Sequence, residues 1–182
     1  MADLHDLTDV NTRHGALTDR STLCIRRSLP GPIERVWAYL TDSDLRRQWL
    51  AEGRMTLQPG TSFELVWRND ELSASAAERP EGFSAESRAT CGVIEVDPPR
   101  RLRYLWPSVG DVCFELEPAG DQVLLTLTHR KLSGENLILN VCAGWHAHLA
   151  LLLARVEGSP APSLWATWKR LRAEYEARQP SR

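Results

Sequence analysis

Histidines are the side chains of this sequence best suited to proton transfer, and three of the five lie in segments predicted to be buried. His129 continues the alternation of Val123, Leu125 and Leu127, so it should share the inward face of a strand. An imidazole with its ordinary pKa of about 6.5 can act as an acid or a base near neutral pH, and a buried imidazole needs a polar partner. The partner of His129 is either another core group or the polar end of a ligand.

The closest approach to a metal-binding pair is formed by His146 and His148. Because they are two residues apart in a predicted helix, their side chains point about 200° apart and cannot both bind one ion. We interpret both as residues that flank an apolar stripe, with His148 nearer to it and at the rim of a cavity.

Cysteine usage and enzyme motifs point away from metal or covalent chemistry. The four cysteines are widely spaced, without a C-x-x-C pair, which is typical of reduced buried thiols in a cytoplasmic protein. The sequence contains no G-x-S-x-G, H-E-x-x-H, G-x-G-x-x-G or P-loop motif. It therefore predicts no catalytic residue, no metal site and no cofactor.

Aromatic residues form the largest candidate site. Large rings recur at positions predicted to face the interior, and with one leucine and two histidines they make a candidate ligand site: Trp67, Tyr104, Trp106, Phe114, His129, Trp145, His148 and Leu149. Flat rings that carry one polar group are typical of pockets for apolar ligands. The same spacing also fits an ordinary hydrophobic core, so both interpretations stay open.

The elements that position these residues follow from the hydrophobic period. A first strand is predicted from residue 22, two short helices after the Pro-Gly-Pro turn at 30–32, and then several strands in which apolar and polar residues alternate. One apolar face indicates an antiparallel sheet that needs a cover on one side. The helix predicted over 135–157 has its apolar residues within about a 100° arc and can supply that cover.

Three regions of the chain are distinguished by composition. Residues 1–21 are predicted to be a flexible N-terminal extension, residues 22–158 an α+β domain, and residues 159–182 an additional charged helix and tail. Residues 69–88, rich in Ala, Ser and Glu, are predicted to be a long, partly mobile loop.

Overall charge and hydropathy exclude two classes of partner. The chain of 182 residues carries 22 Lys and Arg against 24 Asp and Glu, a balance that argues against nucleic-acid binding. Its most apolar stretch, 137–156, is interrupted by Asn140, His146, His148 and Arg155, which argues against membrane insertion. The first 21 residues contain four aspartates and no apolar core, so they do not predict a secretory signal.

In four segments the sequence resembles the SRPBCC (START-like) superfamily, and within it the bacterial proteins similar to the C-terminal domain of the activator of heat shock protein 90 ATPase. The segments are LPGPIERVW from Leu29, EVDPPRRL from Glu95, LTLTH from Leu125 and GWHAHL from Gly144. The resemblance covers about residues 22–157. It implies a helix-grip fold, a curved antiparallel sheet of six or seven strands wrapped around the long helix, with a cavity used for apolar molecules.

Three functions remain open on this basis, because a fold does not choose a function. The first is non-enzymatic binding of a small apolar molecule. The second is a cyclase- or dehydratase-like enzyme acting on a cyclic or polyketide-like substrate, with His129, Tyr104 and His148 as its acid or base. The third is a co-chaperone-like interaction protein. The helix beyond Pro162 could cap the cavity or pair with a second copy of the chain as a homodimer.

Overall fold

The computed structural model describes residues 9–178, and within them seven strands and several helices carry the fold. The strands are Ala16–Asp19 (β1), Thr22–Pro30 (β2), Ser62–Trp67 (β3), Ser87–Asp97 (β4), Arg101–Trp106 (β5), Gly110–Ala119 (β6) and Gln122–Arg130 (β7). The α-helices include Ile33–Thr41 (α1), Ser43–Arg46 (α2), Glu135–Glu157 (α3) and Leu164–Ala177 (α4), and short 3-10 turns lie at Asn69–Leu72 and Ala76–Glu78.

All seven strands belong to one antiparallel sheet in the order β1-β2-β7-β6-β5-β4-β3. Alternate residues of the strands point into a single hydrophobic core, where they meet α3. Phe114 of β6, for example, lies edge-on to Trp145 of α3, with ring centroids 5.7 Å apart. The antiparallel sheet and long helix predicted from the change of period, and the α+β helix-grip fold with six or seven strands that the resemblance implies, are confirmed.

The connection from α1 to β3 fills the middle of the space between the sheet and α3. The Asp42 side chain caps α2 by accepting hydrogen bonds from the backbone N–H groups of Asp44 and Leu45. Arg46, 2% exposed, donates to the carbonyls of Leu40, Thr41, Ala51 and Gly53. These contacts hold the chain that follows α2 against the core, where Trp49 is fully buried.

Helix α3 is buried on more than one side, because β-strands cover one face and α4 covers another. Its 23 residues are long and apolar enough to cross a membrane by length and composition alone. The core helix of a globular domain satisfies the same test, and 61% of its most apolar window is buried inside this protein. It ends at Gly158, whose left-handed conformation (φ +72°) favours glycine.

Residues 9–21 differ from the predicted flexible extension, because they are hydrogen-bonded to the domain. Strand β1 pairs with β2, and Asn11 exchanges two hydrogen bonds with the backbone of Ser28, at 2.9 and 2.7 Å. The buried guanidinium of Arg27 donates to the carbonyls of Val10 and Arg13. Polar contacts of this kind leave no hydrophobic period in the sequence, and the part of the prediction that concerns residues 1–8 lies outside the described residues.

The same N-terminal segment is attached to α4. His14 Nε2 lies 2.7 Å from the Glu174 carboxylate, and the Tyr175 hydroxyl accepts a hydrogen bond from the backbone N–H of Gly15. That hydroxyl also lies 3.1 Å from Nδ1 of His146 in α3. Tyr175 therefore joins the N-terminal segment to both C-terminal helices, and its burial raises its pKa to about 12.

Residues 69–88, predicted to be a partly mobile loop, also make specific contacts with α4, and the last two of them, Ser87 and Arg88, belong to β4. Asp70 accepts a hydrogen bond from the Trp165 indole at 2.8 Å and forms an ion pair with Arg79 at 3.0 Å. The Ser73 hydroxyl accepts a hydrogen bond from the backbone N–H of Trp165 at 3.0 Å. The start of α4 is thus attached to this segment, and its other end to the N-terminal segment.

Candidate functional site

A cavity of about 300 Å³ lies at one end of the sheet, between the last residues of β3 and β5, the first half of α3 and the first turns of α4. Its volume is at the lower end of the range for small-molecule sites. Its lining is mainly aromatic and aliphatic: Leu50, Trp67, Asn69, Phe83, Ser87, Arg88, Ala89, Trp106, Asn140, Val141, Gly144, Trp145, His148, Leu164, Trp165 and Trp168. Five of the seven tryptophans of the chain are in this set.

The wall formed by the sheet is a stack of rings. Trp67 and Trp106 lie nearly parallel, with ring centroids 4.9 Å apart, and the opposite face of Trp106 stacks on His129 at 5.9 Å. Trp67 and Trp106 are the last residues of β3 and β5, which run in the same direction on the two sides of β4, so both rings lie at the same end of the sheet. Trp106 is half-buried, so part of its ring is accessible.

The opposite wall comes from α4 and the segment before β4. Phe83 packs edge-on against Trp165 and Trp168, with ring centroids 5.2 and 5.0 Å away. On the α3 side, Gly144 leaves a gap, because a Cβ atom there would have the Trp168 indole nitrogen, 4.0 Å away, as its nearest neighbour. A glycine in the middle of a helix costs about 1 kcal/mol relative to alanine, and here it leaves space for the cavity.

Three of the five indole N–H groups around the cavity are bound to protein acceptors. Trp145 donates to Nδ1 of His129 at 2.9 Å, Trp165 donates to the Asp70 carboxylate at 2.8 Å, and Trp168 donates to the Asn140 carbonyl at 3.3 Å. These bonds fix the orientation of the three rings, which present apolar surface to the cavity. Such a rigid aromatic enclosure suits a flat apolar molecule.

Four of the eight predicted site residues line this cavity, namely Trp67, Trp106, Trp145 and His148. The other four, Tyr104, Phe114, His129 and Leu149, do not line it and are at most 2% exposed. One of them, Phe114, lies edge-on to Trp49, which follows α2, with ring centroids 6.5 Å apart. Among the residues that the structure describes, the cavity of about 300 Å³ therefore lies towards α4, beside four of the predicted residues, whereas the other four are buried in the interior.

His129 is corrected in a second respect, because no ligand can reach its ring in this structure. Its Nδ1 accepts the Trp145 hydrogen bond, and its Nε2 is sealed inside the protein without a well-formed partner among the described residues. Burial lowers its pKa to about 4, so the ring is neutral at neutral pH. The geometry is that of a core residue that orients Trp145.

Sequence reasoning missed the wall contributed by Phe83, Leu164, Trp165 and Trp168. One signal was available, since Leu164, Trp168, Leu171 and Tyr175 form an apolar stripe on the helix that was expected either to cap the cavity or to pair with a second copy of the chain. The structure shows that this stripe packs on α3. Phe83 gave no such signal, because it is a single aromatic residue in a segment of small and charged residues.

Groups with catalytic or metal-binding potential are not concentrated at the cavity. Among residues 9–178, no group of three or more His, Cys, Asp or Glu side chains is arranged to hold a metal ion. Burial raises the pKa of Cys91 and Cys142 to about 12, which makes both thiols unreactive near neutral pH. Tyr104 is buried too, and its pKa is raised above its usual range.

Comparison with known proteins agrees with the fold. Residues 30–157 match the family described as Activator of Hsp90 ATPase homolog 1-like protein, and no match was found among curated proteins. A Bordetella parapertussis protein encoded by the gene BPP1335 is 38% identical, over 92% of this chain and 91% of that one, with a TM-score of 0.75. CalU16 from Micromonospora echinospora is 26% identical, over 86% of each chain, with a TM-score of 0.63.

A more distant likeness shows the fold alone. The Aha1 dimer from Colwellia psychrerythraea is 14% identical, over 75% of this chain and 96% of that one, with a TM-score of 0.58. The family match covers most of the described chain and contains β3 to β7, α3 and the segment that fills the core. The N-terminal segment and α4 lie outside it. On this match, the chain belongs to the Activator of Hsp90 ATPase homolog 1-like family.

Proposed function

We propose that this protein binds a small, flat hydrophobic molecule in the cavity between the sheet, α3 and α4, and that it does so without catalysing a reaction. The observation that carries the proposal is the cavity itself, about 300 Å³ enclosed by five tryptophans and Phe83. Protein interiors are normally packed without voids of this size. Here the hydrogen-bonded rings and the glycine in the middle of α3 keep the space open, which supports a binding role for it.

The enzyme alternative requires a histidine or tyrosine hydrogen-bonded to a carboxylate inside the pocket. The two histidines nearest the cavity have other partners: His129 is bound to the Trp145 indole and His148 to the Trp49 carbonyl. Histidine and carboxylate do meet at His14 and Glu174, but neither residue lines the cavity. Binding therefore has more support than catalysis.

Homodimer formation stays a prediction, which size-exclusion chromatography with light scattering tests.

Gly144 provides a test that changes the cavity without removing any wall residue. Gly144→Leu should project a side chain into the cavity and lower the affinity for the ligand at least tenfold. Gly144→Ala is the matched control, since its Cβ meets only an ordinary contact at 4.0 Å and alanine favours the helix by about 1 kcal/mol. We expect the control to bind normally and to be slightly more stable than the wild type.

The ligand is sought in a panel of fatty acids, sterols and two- or three-ring aromatic compounds. Binding of each compound is measured by the change in tryptophan fluorescence and by the shift of the melting temperature. Native mass spectrometry of protein purified from its own host provides an independent search for a retained molecule. If no compound stabilises the wild type and no molecule is retained, the proposal fails. Equal binding to the wild type and to Gly144→Leu would place the site elsewhere.

A further inference from the structure

His148 is a polar side chain in an otherwise aromatic enclosure, and only one of its two ring nitrogens is bound within the protein. Its Nδ1 lies 2.7 Å from the backbone carbonyl of Trp49, and a carbonyl can only accept, so Nδ1 carries the proton and donates. The side chain is 7% exposed and lines the cavity. Its orientation is therefore fixed by a buried hydrogen bond.

The second nitrogen, Nε2, is left as an acceptor. It has no hydrogen-bond partner among the described residues, and unlike Nε2 of His129 it is not sealed from small molecules. Burial is the main cause that lowers the pKa of His148 to about 4, so the ring is neutral near pH 7. A neutral ring whose Nδ1 holds the proton presents a lone pair at Nε2.

A second acceptor belongs to the same cavity. The side-chain oxygen of Asn69 is enclosed and has no partner among the residues the structure describes. The one cationic side chain of the lining, Arg88, is paired with Glu64 and Glu86 at 2.9 and 2.7 Å. Asn69 Oδ1 is as enclosed as Nε2 of His129, so of these two acceptors it is Nε2 of His148 that a ligand can reach. A buried acceptor left without a hydrogen bond costs about 1–3 kcal/mol, and a ligand that donates to Nε2 avoids that cost.

We propose that His148 determines the specificity of the cavity, and that the ligand is an uncharged aromatic molecule with a hydrogen-bond donor, such as a phenolic hydroxyl, which donates to Nε2 of His148. The inference rests on the proposed binding function and adds the chemistry of the ligand to it. A carboxylate is disfavoured, because it would place a negative charge beside the lone pair of Nε2. Fatty acids and aromatic acids should therefore bind weakly.

Three probes of matched size test the inference by isothermal titration calorimetry: 2-naphthol, 2-methoxynaphthalene and 2-naphthoate. Only the naphthol can donate, the methoxy compound has the same ring without the donor, and the naphthoate is charged. We expect 2-naphthol to bind the wild type at least tenfold more tightly than either of the others. Equal affinities for naphthol and methoxynaphthalene would overturn the inference and leave the binding function standing. If none of the three binds and the wider panel also fails, the binding function itself is lost.

The variant His148→Asn separates recognition from structure. An asparagine places its amide nitrogen near the position of Nδ1, where it can still donate to the Trp49 carbonyl, but it provides no acceptor at the position of Nε2. We expect the preference for naphthol over methoxynaphthalene to fall to about onefold, with the methoxynaphthalene affinity unchanged. His146→Asn is the matched control on the same helix, buried but outside the cavity, and should keep the preference.

A measurement on the wild type keeps the inference testable if His148→Asn does not fold. With ¹⁵N-labelled histidine, the resonance of the unprotonated Nε2 of His148 should move towards that of a hydrogen-bonded nitrogen when 2-naphthol is added. Methoxynaphthalene should not move it. A naphthol that binds without changing this resonance would show that the hydroxyl points elsewhere, and the inference would be wrong.

Discussion

Trp106 and Phe114 lie on neighbouring strands and both face inwards, yet the structure gives them different surroundings. Phe114 is 2% exposed and contacts Trp49, Tyr104 and Trp145. Trp106 is half-buried at the cavity, with Trp67 on one face and His129 on the other. Alternation along a strand can assign both residues to the inner face, but it cannot say which one has a filled space in front of it.

The two residues should therefore separate stability from binding. Phe114→Leu should cost about 1–2 kcal/mol of unfolding free energy, because it leaves a small void in the core, while ligand affinity changes little. Trp106→Leu should lower the affinity at least tenfold, because it removes one layer of the ring stack. Urea denaturation and calorimetric titration of both variants provide the comparison. Intact affinity in Trp106→Leu would show that Trp106 belongs to the core rather than to the site.

At the scale of the elements, the N-terminal segment and α4 depend on each other. The segment from Val10 to Gly15 supplies acceptors for buried Arg27 and contacts Glu174 and Tyr175 of α4. Helix α4 in turn forms one wall of the cavity. Both elements lie outside residues 30–157, which match the family, so one wall of the cavity comes from outside the matched region.

Removal of residues 1–20 should lower the unfolding free energy by several kcal/mol. The deletion would leave the Arg27 guanidinium, 1% exposed in the intact protein, without two of its carbonyl acceptors, and would remove strand β1. Leu17→Ser is the matched control, since Leu17 is 47% exposed and should change stability by less than about 0.5 kcal/mol. Chemical denaturation measures both. An unchanged stability of the deletion would support the flexible extension that the sequence predicted.

For the whole molecule, three buried histidines make stability depend on pH. Burial lowers the pKa of His129 and His148 to about 4 and that of His146 to about 3, where Arg27, His14 and Arg170 add to the effect of burial and Glu174 opposes it. In the unfolded chain, the same rings titrate near 6.5. Between these values, the unfolded state binds more protons than the folded state.

Stability should therefore be highest above about pH 7 and should fall as the pH drops from 6.5 towards 4, with a slope of up to about 4 kcal/mol per pH unit if all three rings contribute. Urea denaturation at pH 7.5, 6 and 5 measures this slope. His146→Asn cannot be protonated but places its amide near the position of Nδ1, where it can still hydrogen-bond to Tyr175, and it should reduce the slope by about one proton. A free energy of unfolding that is constant from pH 7.5 to 5 would contradict the prediction.

The sequence alone determined the architecture, because each helix or strand has its own hydrophobic period in the local sequence. The hydrophobic period changes from 3.6 to 2 after the two short helices and returns to 3.6 at residue 135, and the observed elements follow those changes. It also supplied four of the sixteen residues that line the cavity, Trp67, Trp106, Trp145 and His148, as inward-facing residues of the predicted fold.

The location of the cavity was decided only by the tertiary structure. Whether an inward-facing residue meets a side chain or a space depends on segments far away in the sequence: Trp49 fills the middle of the core, whereas α4 stands over its end. The docking of the N-terminal segment likewise rests on single hydrogen bonds to Ser28, Arg27 and Tyr175, which produce no periodic pattern. Periodicity predicts which face of a helix or strand is buried. Whether the space next to that face is filled or open depends on every other element that packs there.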